Sequence, residues 1–204
     1  MATKFRPPSQ VRDKLNDLFP NLAKVDWRIK SPSDDSYQCI AWAASYRDRI
    51  MWPSPPPYWW FPEPNLSLAI IPEEAPVDYF LEGFKLLGYE KCADGTFEIG
   101  YQKLAIYANH LGATHMARQH FLGRGWLSKL GGLEDILHPN LEDIEGDLAA
   151  TAWEYGEVAQ IIKRSWWAAF IRLCVFRSSW AAFRFWVYRL IHPSWIWDNI
   201  FKQR

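Results

Sequence analysis

The apolar positions of this chain change period along its length, and the changes divide it into elements. Over Ser9–Leu18, Val11, Leu15 and Leu18 share one face at helical spacing. Ser9 suits the N-cap and Pro20 follows the end, so a short helix is predicted there. Val77, Phe80, Leu81, Phe84 and Leu87 form a second such face, predicting a helix over Ala75–Leu87 with Gly88 at its cap. A third helix is expected to open at Cys39, because turn-forming Ser31–Ser36 precede it and the small apolar run Ile40-Ala41-Trp42-Ala43-Ala44 follows. A fourth is predicted within Ala149–Arg164, with Val158, Ile161 and Ile162 inward and Lys163-Arg164 at the C-terminal end.

Between these segments the pattern predicts antiparallel sheet, from Phe97 to Leu130. Leu104–Ala108 is continuously apolar, as in a strand buried on both faces, whereas Thr114–His120 alternates as a half-buried strand does. Gly123 and Gly125 then turn the chain into Trp126–Leu130, giving a hairpin. Residues 133–146 are acidic and loop-like, with a helical turn expected at Glu134–Leu137. Trp52–Pro62 interleaves prolines with large aromatics. It is neither regular helix nor central strand, and packing on its own domain is the favoured expectation over a partner-binding motif.

Charge adds a division that the hydropathy pattern does not show. The 204 residues carry no net charge, yet residues 1–159 hold 15 Lys/Arg against 22 Asp/Glu, a net −7. Residues 160–204 hold eight Lys/Arg and one acid, Asp198, a net +7. The basic end is also where tryptophan concentrates, and it contains an echo: Trp167-Ala168-Ala169-Phe170 returns as Trp180-Ala181-Ala182-Phe183. Two regions are therefore expected, an acidic domain over residues 1–160 and a basic aromatic extension over 161–204. In the extension Trp166, Trp167, Arg172, Arg177, Trp180, Arg184, Trp186 and Arg189 are the candidate binding residues. The arginines do not share one helical face, so a surface-lying amphipathic helix is not predicted. Trp with Arg suits an anionic bilayer interface, and it equally suits a protein partner. Folding back onto the acidic body is the third reading.

Three cysteines at wide spacing, Cys39, Cys92 and Cys174, form neither a disulfide framework nor a zinc motif. No cofactor and no metal are expected. No apolar leader and no membrane-spanning segment is recognised, so a cytoplasmic, peripherally membrane-associated protein is expected. The acidic body argues against nucleic acid as a partner.

Candidate chemistry centres on Tyr37-Gln38-Cys39-Ile40-Ala41-Trp42-Ala43. A thiol at a helix start gains from the helix dipole, and a thiolate nucleophile needs a base that a third group orients. His115, opening the alternating strand, is the expected base. Adjacent Ser128 and Lys129 point to opposite sides of a strand and cannot pair, and Lys129 is read as a solvent charge. Cysteine opening a buried helix, followed by histidine opening an antiparallel strand, resembles the papain-like superfamily, including NlpC-type and CHAP-type amidases. The ordered pieces Leu87-Gly88-Tyr89-Glu90-Lys91-Cys92, Lys103–Tyr107, His115–Gln119, Trp126–Gly131, Asp135–His138 and Tyr155–Val158 more closely resemble an uncharacterised, mostly microbial domain family of unknown function. The resemblance covers about residues 10–164.

It implies an α+β papain-like fold, with Cys39 as nucleophile, His115 as base, and Asp135 or His138 ahead of Ser128 as the third member. The expected activity is hydrolysis of a peptide or amide substrate through an acyl-enzyme, with acyl transfer as its variant. An effector role is suggested by analogy alone. The alternative is a non-catalytic module of the same fold that docks to a membrane or a protein through its tail.

Overall fold

In the computed structural model the described residues are 8–53, 58–61, 75–146 and 155–167. They build one seven-stranded sheet in the order β1-β6-β5-β4-β3-β7-β2. The strands are β1 (Arg28–Ser31), β2 (Glu90–Cys92), β3 (Tyr101–Asn109), β4 (Gly112–Gln119), β5 (Trp126–Lys129), β6 (Asp135–His138) and β7 (Glu157–Ser165). The pairings β1–β6, β6–β5, β5–β4, β4–β3 and β7–β2 are antiparallel. Helices are few and short: α1 (Pro8–Leu18), α2 (Cys39–Ala43) and α3 (Val77–Leu86).

Period-two alternation of the strands sorts their side chains into two apolar clusters. One holds Ile40, Trp42, Phe80, Phe84, Leu104, Ile106, Met116 and Leu127, so α2 and α3 cover that face. The other holds Val11, Leu15, Phe19, Trp27, Ala105, Tyr107, Ala117, Trp126 and Ile136, so α1 covers the opposite face. β3 reads as an unbroken apolar run because Leu104 and Ile106 face one cluster while Ala105 and Tyr107 face the other. Trp60 and Phe61 are buried edge-on against Phe80 and Phe84 of α3. The described part of the proline-aromatic segment thus packs on its own domain.

This is a correction to the papain-like α+β fold, because a long helix bearing the cysteine ahead of a sheet does not form. The helix at Cys39 has five residues, and β1 enters the sheet before it. Two segments read as helical are strands. Asp135–His138 pairs with β5 on one side and β1 on the other, so its apolar residues meet a cluster on each face, which one helical turn cannot do. Glu157–Ser165 lies in the sheet between β3 and β2. Ile161 packs on one cluster and Ile162 on the other, the arrangement of strand neighbours, and β-branched side chains favour it. β7 also carries residues 161–164, assigned to the extension on charge, into the sheet. No helix among the described residues is long and apolar enough to cross a membrane.

Candidate functional site

Sheet alternation decides which candidate residues meet. On β4, Met116 faces the α2 side, so its neighbour His115 faces the α1 side. Cys39 opens α2 and belongs to the Met116 cluster. The sheet therefore separates Cys39 from His115. Neither ring nitrogen of His115 has a hydrogen-bond partner, although both are fully buried. The imidazole is instead stacked on Tyr155, with ring centroids 4.0 Å apart, and meets Tyr107 edge-on at 5.5 Å. Burial, with a smaller contribution from His138, holds it well below the ordinary histidine range, so it is neutral.

Cys39 is equally enclosed. Burial pushes its thiol up to about 11, with backbone groups of Met116 and Ile40 offsetting part of the cost. The expected activation by a helix N-terminus fails because desolvation of a thiolate outweighs the field of a five-residue helix. Asp135 does lie on the Cys39 side, opposite Lys129 in the β5–β6 ladder. Its Oδ1 is 4.0 Å from Lys129 Nζ, and the Tyr37 hydroxyl donates to Oδ2 at 3.4 Å. Lys129 also donates to the Leu133 carbonyl and sits 5.2 Å from the Tyr37 ring centre. Burial raises the Asp135 carboxyl and lowers the Lys129 ammonium, each offset by the other's charge. Lys129 is fully buried, a correction to its reading as a solvent charge. The missed signal was the apolar pair Trp126-Leu127, neighbours of opposite parity, which marks β5 as a strand covered on both faces.

The remaining candidates lie on the α1 side. His138 Nδ1 donates to the Asn140 carbonyl at 2.6 Å, which fixes the proton there. Nε2 is therefore the acceptor of the Ser128 hydroxyl, 2.9 Å away. Asp143 Oδ2 is 4.0 Å from Nδ1 and accepts instead from the Asn140 backbone N–H at 2.7 Å. A serine, a histidine and an aspartate thus stand in sequence, but all three are buried, and burial lowers His138 to about 4. They form a satisfied polar core rather than a nucleophile open to substrate. The residues named for chemistry fall into two sets, Cys39 with Asp135 and His115 with His138, on opposite faces.

A cleft of about 500 Å³ opens elsewhere, lined by Asn21, Asn109, His110, Glu145 and Glu157 among others. None of the predicted catalytic residues lines it. No group of three or more His, Cys, Asp or Glu able to hold a metal occurs among the described residues. Trp166 and Trp167 are exposed, whereas Arg172, Arg177, Trp180, Arg184, Trp186 and Arg189 lie outside the described residues.

Over residues 28–163 the chain matches a family model described as a domain of unknown function, DUF7689. No curated protein and no solved structure matches it.

Proposed function

The chain belongs to the DUF7689 family, and from that premise and the two sheet faces we propose that it is a non-catalytic interaction module. In this reading the sheet domain is a scaffold, and the basic aromatic segment after it binds an anionic lipid surface. The observation that carries the first half is the separation of Cys39 from His115 by β4, with the thiol pushed up to about 11. Acyl transfer to Cys39 needs a base within hydrogen-bond reach, and His115 is turned to the other face.

The second half rests on charge placement. Lys163 pairs with Glu98 at 3.0 Å, and Arg164 donates to Gln102 at 2.8 Å, so both cations of β7 are engaged by the domain. Residues 165–204 still hold six Lys/Arg against Asp198, a net +5, with tryptophans at both repeats. Each cation near an anionic bilayer contributes about 1 kcal/mol, and indoles favour the headgroup level.

Flotation with vesicles of phosphatidylcholine alone, and mixed with phosphatidylglycerol, tests this on the full chain. Binding is expected only to the anionic vesicles. Replacing Arg172, Arg177, Arg184 and Arg189 by Gln should reduce it on the order of a hundredfold or more. Equal binding to both vesicles contradicts an anionic surface as the partner, and binding to neither contradicts a lipid partner, so that a protein partner takes its place.

A further inference from the structure

On the α2 face, two strong hydrogen-bond donors lie together without an acceptor. The Arg118 guanidinium, on β4, stacks over the Trp42 indole with its central carbon 3.9 Å from the ring centre. No carboxylate, carbonyl or amide oxygen of the described residues accepts a hydrogen bond from it. Trp42 is only 3% exposed, and its Nε1–H is fully buried with no partner. An unmet buried N–H costs about 1–3 kcal/mol, and the Arg118 guanidinium beside it is half-buried. An orphaned buried donor beside a half-buried cation is a place that an acceptor from outside the described chain can fill.

The surroundings give its charge. Arg164 is close enough to Arg118 to repel it, but its own fork is occupied by Gln102 and the Leu87 carbonyl. Arg47, exposed on the loop after α2, also repels Arg118, and no described residue accepts from it either. Asp135, an acid whose charge reaches Arg118, is taken up by Lys129 and Tyr37. Burial lowers Arg118 to about 10, with Arg47 and Arg164 adding to it; a bound anion reverses that direction. The guanidinium fork is planar and presents parallel N–H pairs to a planar anion, which selects a carboxylate over a point charge.

We propose that the α2 face is a binding site for a small carboxylate ligand, received by the Arg118 fork and the Trp42 Nε1–H, with Arg47 at the rim.

Calorimetric titration of the full chain with succinate and with inorganic phosphate, at matched ionic strength, tests it. Succinate is expected to bind and to raise the melting temperature. Arg118→Met, which keeps the apolar stem over Trp42, should weaken binding at least tenfold, and Arg118→Lys only in part. Arg47→Gln is expected to cost a few-fold, and because Arg47 is exposed this variant keeps the test decisive should Arg118→Met fail to fold. Succinate binding that survives both substitutions unchanged overturns the site, as does no succinate binding at all. Phosphate binding without succinate overturns the carboxylate assignment. The four-arginine tail variant separates this site from lipid binding: it should lose vesicles and keep succinate.

Discussion

Replacing His115 by phenylalanine should stabilise this protein, an unusual outcome for a fully buried polar residue in a central strand. The neutral imidazole buries one donor and one acceptor with no partner for either. Each unmet group costs about 1–3 kcal/mol, and a phenyl ring removes both. The stacking on Tyr155 at 4.0 Å and the edge contact with Tyr107 survive the change. Against this stands the larger ring, since overpacking costs roughly 1–3 kcal/mol. The net expectation at pH 7.5 is a gain of about 1 kcal/mol. The gain should grow in acid. His115 is held well below 6.5 in the folded state, so below pH 6.5 the unfolded chain binds more protons and the wild type loses stability as pH falls. At pH 5.0 that loss is at most ~2 kcal/mol for one histidine, and the phenylalanine variant is spared it. Urea unfolding at the two pH values reads both effects. A variant destabilised at pH 7.5, together with a gap that fails to widen at pH 5.0, would refute the unpartnered, neutral His115.

Further expectations follow from the two polar cores. Ser128→Ala removes the donor to His138 Nε2 and should cost about 1–2 kcal/mol in urea unfolding, with no effect on vesicle binding. Lys129→Met leaves the Asp135 carboxylate buried without its countercharge and should cost about 3 kcal/mol at neutral pH; adding Asp135→Asn should restore part of it. Gly156 has φ of +70°, and a Cβ there would stand 2.0 Å from the Ala108 carbonyl oxygen, so Gly156→Ala should lower the melting temperature more than any surface substitution.

What could be read in the sequence followed from period. α1, α3 and strands β3, β4 and β5 were legible because Val11 with Leu15, Phe80 with Phe84, and the run from Leu104 to Ala108 each repeat at the spacing of one element. β7 was not, because Val158, Ile161 and Ile162 fit a helical face as well as a strand buried on both sides, and only pairing with β2 and β3 decides between them. β6 was hidden in an acidic stretch, of which Glu134 and Asp135 are in fact buried. The site suffered from parity. Cys39 does start a helix, whereas His115, read as opening its strand, is the fourth of the eight residues of β4, and which face of β4 receives α2 is a tertiary fact. One residue of register moves a side chain through the sheet. The tail's partner was set out by composition alone, and its arginines lie outside the described residues.

The reactivity of Cys39 tests the central claim most directly. Alkylation by iodoacetamide, followed residue by residue across pH in the native chain, should find Cys39 slow, slower than half-exposed Cys92, with ionisation far above 8.5 and a rate indifferent to His115→Phe. A Cys39 that labels first, ionises below 8.5, and slows when His115 is replaced would contradict the separation of the two residues and restore a thiol enzyme.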